Sequence, residues 1–270
     1  MNSVRRTRRL GKLVWGVYLG SLIAVLWLIF LLLFAHSFFE GVTLEFPPRG
    51  LTFANYLQIT SQFFPALRLS LLLGVCAGIV NMVLTIPASY ALTRLTFKGQ
   101  NLLNAFFLAP NMVPAISLAL GLLALYSRIG MLDTFWGLTC ALAIVTMPYM
   151  LRPVLAAFHE LDPSLEEAAR TLGAGRWRAF LVVTLPLIGP GVLAGLLLSF
   201  IIGFNEFTII IFLYGPKNLP ASVWLWNMLF MYGITPQFAA AVAVMQLVSF
   251  AVLYILVRVI GRRYLQGVVF

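Results

Sequence analysis

Long apolar runs broken by short polar connections set the pattern of this chain. Six are long enough for helical spans of about 20 residues: roughly 13–35, 66–93, 102–126, 135–158, 187–213 and 238–260. Ten-residue segments of alternating polarity are absent, which excludes a membrane β-barrel. The pattern predicts an all-helical membrane protein with six transmembrane helices: residues 1–12 are a basic N-terminal segment and residues 13–270 one transmembrane domain. Arg5, Arg6, Arg8, Arg9 and Lys12 precede the first run as in a signal peptide, but the run is too long for a signal h-region and reads as a retained span. Spans two to four carry Pro87, then Pro110 and Pro114, then Pro148 and Pro153. In lipid a broken ladder is tolerated where protein or a water-lined cavity satisfies the freed groups. These prolines therefore mark either a pathway or simple packing kinks. Gly74, Gly78 and Gly121 allow close helix approach. Residues 36–65 read as an outer loop, made rigid and non-helical by Phe46-Pro47-Pro48-Arg49-Gly50-Leu51-Thr52. Ser222 to Gly233 is apolar yet too short to span, and is expected as an interfacial or re-entrant helix with Trp and Tyr at headgroup level.

Composition agrees: 61% of residues are hydrophobic, 10% charged, and mean hydropathy is +0.98, values outside the range of soluble domains. The net charge of +10 would suit nucleic acid, but its distribution argues against that partner. With a cytoplasmic N-terminus, fourteen Lys/Arg fall inside (Arg5, Arg6, Arg8, Arg9, Lys12, Arg94, Lys98, Arg152, Arg170, Arg176, Arg178, Arg258, Arg262 and Arg263). Four fall outside: Arg49, Arg68, Arg128 and Lys217. This positive-inside bias places both termini and the 159–186 connector in the cytoplasm, and the basic side also suits anionic membrane lipid. Cys76 and Cys140 lie within spans and build neither a disulfide framework nor a cysteine metal site.

The connector FHELDPSLEEAARTLGAGRWRAFLVVTLP, residues 158–186, is the long charged stretch between apolar segments. Asp162-Pro163-Ser164 starts a helix, Asp162 or Ser164 accepting orphan N–H groups, with Ser164 and Glu167 at capping-box spacing. Glu166 and Glu167 sit at its positive end. Gly173 ends it, and a second short helix runs from Arg176 to Val183 before Leu185-Pro186. A plain connection would need only a few residues. This one predicts a compact helix–turn–helix outside the membrane with a small face that another protein can grip.

The stretch resembles the EAA loop of permease subunits from binding-protein-dependent ABC importers. The family pattern is E-A-A, three residues, G, nine residues, an aliphatic, one residue, L-P. Here it falls on Glu167, Ala168, Ala169, Gly173, Val183, Leu185 and Pro186. The resemblance implies the six-span, MetI-like core of type I ABC importer permeases, in the bacterial inner membrane, with those residues coupling to cytoplasmic ATPase subunits. It also implies a second permease, a paralogue, and an external solute-binding protein. ATP and Mg would be bound by the partner ATPase, and this chain would bind no cofactor. Two stretches are similar to the polyamine-type (spermidine/putrescine) branch: Phe46 to Thr52, and Phe200 to Pro216. In the second, relatives often have S-F-D-[DE] where this chain has Gly203-Phe204-Asn205-Glu206, so Asn205 replaces an acid. That likeness implies a small organic, cationic solute, with other organic solutes as the alternative.

The candidate pathway residues are Phe204, Asn205, Glu206 and Phe207. Glu206 reads as an ionisable residue inside the fifth span, either meeting a cationic cargo or neutralised as a structural carboxylate. Neighbours on a helix cannot all face one cavity, so only part of this set should line it.

No G-x-x-x-x-G-K-[ST] occurs, so the chain has no P-loop of its own. His159-Glu160 lacks the second His of H-E-x-x-H, and no span offers an internal His as a catalytic base. The expectation is a transport subunit without catalytic residues or metal. An ion-coupled secondary transporter is the rival, but it should show internal repeats and a relay of intramembrane acids.

Overall fold

Away from water, each backbone N–H and C=O must be satisfied within its own segment, so apolar runs of this length fold as helices. The computed structural model describes residues 2–40 and 50–265. Among these, the chain is all-helical apart from two isolated bridges, Phe39 with Leu51 and Gly215 with Asn218. The helices are α1 (Asn2–His36), α2 (Ala54–Gln58), α3 (Thr60–Arg94), α4 (Gln100–Leu108), α5 (Ala115–Ile129), α6 (Phe135–Glu160) and α7 (Ser164–Thr171). They continue as α8 (Arg176–Ala179), α9 (Leu185–Leu187), α10 (Gly189–Asn205), α11 (Ile210–Leu213), α12 (Ala221–Tyr232) and α13 (Pro236–Leu265). Phe46-Pro47-Pro48-Arg49 lies outside the described residues, as do the side chains of Arg5, Arg6, Arg8, Arg9, Lys12, Arg258, Arg262 and Arg263.

The chain forms two compact units, Met1–Ser61 with Asn227–Gln246, and Gln62–Trp226 with Leu247–Phe270. In the first, Asn55 ties down the end of α1: its Nδ2 donates to Ser37 O at 2.9 Å and Phe39 O at 3.0 Å. The connector expected over 36–65 turns helical early, at Ala54 and again at Thr60.

In the second unit, Phe63–Arg94 and Phe135–Glu160 are each long and apolar enough to cross a membrane. Two bent pairs also qualify when each is taken together: Gln100–Asn111 with Ala115–Ile129 at 100°, and Arg176–Leu187 with Gly189–Asn205 at 66°. Among the described residues this makes two spans, or four with each bent pair counted as one. The third apolar run is thus not a straight helix. Pro110 sits in a 3₁₀ turn and Pro114 caps α5, so this pair of prolines makes the corner. Pro87, Pro148 and Pro153 stay inside continuous helices.

α10 lies along α6, and the reason is in its side chains. Gly191, Gly195, Ser199 and Gly203 recur at four-residue spacing and form one small-residue face. A Cβ on Gly191 would stand 2.7 Å from Pro153 O, and one on Gly195 2.8 Å from Met150 O. Gly74 and Gly78 admit α10 likewise, their positions facing Phe200 and Leu196, whereas Gly121 has open space around it. A buried polar knot joins α3, α6 and α10. Asn81 Nδ2 donates to Thr146 Oγ1 at 2.8 Å and to Ser199 Oγ at 3.1 Å, and Ser199 Oγ donates to Thr146 Oγ1 at 2.9 Å. Each such interhelical bond in a membrane contributes about 0.6 kcal/mol, so the knot fixes register more than it adds stability.

Asp133 pins the loop before α6 to the loop after α11. Its carboxylate accepts the backbone N–H groups of Lys217 at 3.1 Å and Asn218 at 2.9 Å. Asp133 itself has φ +50°, in the left-handed region that Asp enters at low cost. One end of the unit therefore carries Asp133 and Lys217, and the other the connector after Glu160.

Candidate functional site

The connector after α6 is built by local signals. Leu161 leaves the helix in extended conformation and Asp162 follows as the true cap: its Oδ1 accepts the Ser164 N–H at 2.9 Å. That hydrogen bond holds the Asp162 carboxyl below the usual carboxylate value. Ser164 is the first helical residue, so the cap is Asp162 rather than a Ser164–Glu167 box. At the far end Gly173 has φ +92°. The Ala174 N–H reaches Ala169 O at 3.1 Å and the Gly173 N–H reaches Arg170 O at 3.0 Å, the two bonds of a Schellman motif. The second helix is shorter than expected. α8 ends at Ala179 and a π-helical segment, Phe180–Thr184, carries the chain to Leu185.

α7 presents most of itself to solvent. Leu165, Glu167, Ala168, Thr171 and Gly173 are exposed, as are Leu172 (89%) and Trp177 (79%). Ala169, Val183 and Leu185 are half-buried and Pro186 is exposed. The inward anchor is Glu166, which accepts the Tyr90 hydroxyl at 3.0 Å on one oxygen and Thr184 Oγ1 at 2.9 Å on the other. One turn further along α3, Arg94 Nη2 donates to Leu161 O at 2.7 Å. The connector is thus bolted to the foot of α3 at two points, and the Glu166–Thr184 bond ties α7 to the π-helical segment just before α9. Of the paired acids, Glu167 faces out and Glu166 holds the helix in place. Sequence spacing gave no signal for Thr184. Tyr90 and Arg94, at i and i+4 on α3, were the available hint of a polar face.

The second candidate set divides differently. α10 stops at Asn205, and Glu206 is extended (φ −66°, ψ 123°), so it lies at a helix break and not inside an unbroken span. Glu206 Oε1 accepts the Ile209 N–H at 3.0 Å, capping the turn into α11, and its carbonyl accepts Ser222 Oγ at 2.9 Å. Phe204 is buried (1%) and stacked on Phe200, while Phe207 packs on Trp226. Asn205 is exposed and donates to Ile201 O at 2.8 Å. Of the four, Asn205 is the exposed one and Phe204 is core. Among the described residues no three His, Cys, Asp or Glu side chains cluster as metal ligands.

Residues 83–266, which include the whole connector, match the family described as the binding-protein-dependent transport system inner membrane component. The chain belongs to this family. The sulfate transport system permease protein CysT of Escherichia coli (strain K12) is 34% identical over 179 residues, 61% of this chain and 65% of that protein. That alignment thus spans just under two thirds of the relative. The molybdate/tungstate transport system permease protein WtpB of Thermococcus kodakarensis is 31% identical over 199 residues, 73% of this chain and 79% of that protein. In three dimensions the chain is similar to a subunit in the crystal structure of a bacterial ABC transporter that imports the acidic polysaccharide alginate. The TM-score is 0.70 at 19% identity, covering 96% of this chain and 98% of that one, a likeness of fold. The all-helical, MetI-like permease fold expected from the EAA spacing is therefore the fold of this protein. The polyamine-specific branch is not singled out: both relatives named above carry inorganic oxyanions.

Proposed function

We propose that this chain is one permease half of an ATP-driven importer in the bacterial inner membrane. It would pair with a second permease, receive a small solute from an external binding protein, and couple to cytoplasmic ATP-binding subunits that hold ATP and Mg. The observation that carries this is the mounting of α7. A short helix with an exposed outer face is tied through Glu166 to Tyr90 and Thr184. A partner that grips Glu167, Ala168 and the Gly173 turn would move α3 and α10 with the connector, because those bonds leave α7 little independent play. Closure of two ATP-bound partner subunits then rocks the spans, and hydrolysis returns them.

The test is copurification. The tagged chain, extracted with its membrane neighbours, should bring an ATP-binding subunit with it, and Ala168→Arg should release that subunit while the chain still inserts. A chain that copurifies with no ATPase and moves solute on an ion gradient alone would be a secondary transporter instead. A second reading concerns cargo. Glu206, a half-buried carboxylate beside the exposed Asn205, favours a cationic, polyamine-like solute. Glu206 also caps α11, so Glu206→Gln, which keeps one acceptor oxygen, isolates the charge. Loss of uptake of a cationic solute with assembly intact supports that reading. Unchanged uptake, or a binding protein that selects an anion, removes it.

A further inference from the structure

A cavity of about 600 Å³ opens between the foot of α3 and the connector, and three guanidinium side chains, Arg94, Arg170 and Arg176, line it. Arg94 spends one nitrogen on Leu161 O, while its Nε is buried without a partner. The neighbouring acid, Glu166, already accepts hydrogen bonds from Tyr90 and Thr184 on its two oxygens. Asp162 also faces Arg94, with one oxygen accepting the Ser164 N–H. Three positive charges against two carboxylates already engaged as acceptors still leave an excess that a bound anion would offset.

The rest of the wall says what kind of anion. Ile86, Pro87 and Leu95 line the same cavity, with Phe180 and Trp177. Ile86 lies eight residues up the helix from Arg94, about 12 Å along its axis, within the apolar span Phe63–Arg94. The cavity therefore runs from a cationic mouth onto an apolar strip of that helix, with an indole, suited to headgroup level, at its edge. A free phosphate or an acidic protein side chain would use the mouth and leave the apolar strip empty. We propose that this cavity holds the phosphate headgroup of an anionic phospholipid, its acyl chain lying along Ile86 and Pro87. Basic pockets at the cytoplasmic ends of spans have the chemistry for such headgroups. The inference does not depend on what docks on α7.

Native mass spectrometry of the purified full chain tests it, with phosphatidylglycerol and phosphatidylcholine supplied in equal amounts. Arg176 is exposed, and Arg176→Gln should reduce retained phosphatidylglycerol about fivefold, the typical worth of one basic side chain near an anionic surface. Arg178→Gln, the same charge change two residues away and off the cavity wall, should leave retention unchanged. Equal retention of the two lipids by the unaltered chain, or equal losses in both variants, overturns a specific site. Millimolar inorganic phosphate is the last arm. Failure to displace the lipid supports a headgroup, and full displacement assigns the cavity to soluble phosphate and overturns the proposal.

Discussion

Asp162 and Gly173 set the two ends of α7, and each makes a separable prediction. Asp162 is ionised when it caps, and its folded pKa lies below the ordinary value. The cap is therefore fully present above the unfolded carboxylate pKa, near 3.9, and is lost as pH falls through the lower folded value. Hydrogen-exchange protection of the first α7 amides, corrected for intrinsic rates, should fall over that acid window, and Asp162→Ala should abolish the pH dependence. A protection profile that ignores both pH and the substitution would remove Asp162 from the cap. At Gly173 an added Cβ meets nothing within 4 Å, so a side chain there suffers from φ +92° and not from collision. Gly173→Ala should cost about 1 kcal/mol locally, and Gly173→Asn less, because Asn enters the left-handed region more readily. Gly173→Arg adds a bulky charge to the exposed turn. We expect it to insert normally yet lose the ATP-binding partner in pull-down, and retention of a coupled partner would contradict that role.

The helix ends of α7 were legible because their signals are local: Asp-Pro-Ser at one end, Gly at the other. Its anchoring was not, because Glu166 meets Tyr90 across 76 residues of chain and nothing in Leu165-Glu166-Glu167 says which acid turns inward. A double-mutant cycle should expose that link. Tyr90→Phe and Glu166→Ala should each weaken coupling of ATP hydrolysis to uptake, and the pair together should be no worse than Glu166→Ala alone. The interaction energy should be about 1–3 kcal/mol for a hydrogen bond to a charged group; strict additivity would mean the two side chains act separately. The α6–α10 contact shows the same division. The small residues at 191, 195, 199 and 203 are written at helical spacing, but the face of α6 that receives them is set only by packing. Gly195→Leu has no room, since the obstructing atoms include the Met150 carbonyl. It should destabilise the protein by at least 1–3 kcal/mol, read as a lower unfolding temperature in detergent, and an unchanged midpoint would refute tight α6–α10 contact.

At the scale of the whole molecule, apolar runs announced helices but not their bends. Nothing in run length distinguishes the continuous α3 from the 100° corner at Asn111–Ala115. The presence of two prolines did not by itself separate Pro110 and Pro114, which make the corner, from Pro148 and Pro153, which stay inside α6. Charge, in contrast, predicts orientation, and the structure supplies an independent constraint on it. Arg94 bonds Leu161, so the foot of α3 and the connector share one end of the unit. Asp133 bonds Lys217 and Asn218 at the other end of α6. Arg94, Lys98, Arg170, Arg176 and Arg178 belong to the first end, and Arg128 and Lys217 to the second. Positive residues resist translocation, and on that ground we propose that the connector faces the cytoplasm, where an ATP-binding partner would reach it. Reporter fusions after Lys98 and after Arg178 should both give the cytoplasmic signal, and fusions after Glu45 and Lys217 the external one. The Lys98 and Arg178 fusions must agree whatever the absolute orientation, because the Arg94–Leu161 bond ties their neighbourhoods together. Disagreement between them would contradict the fold. An external signal at both would leave the fold standing but place α7 out of reach of any cytoplasmic ATPase, and the coupling role would fall with it.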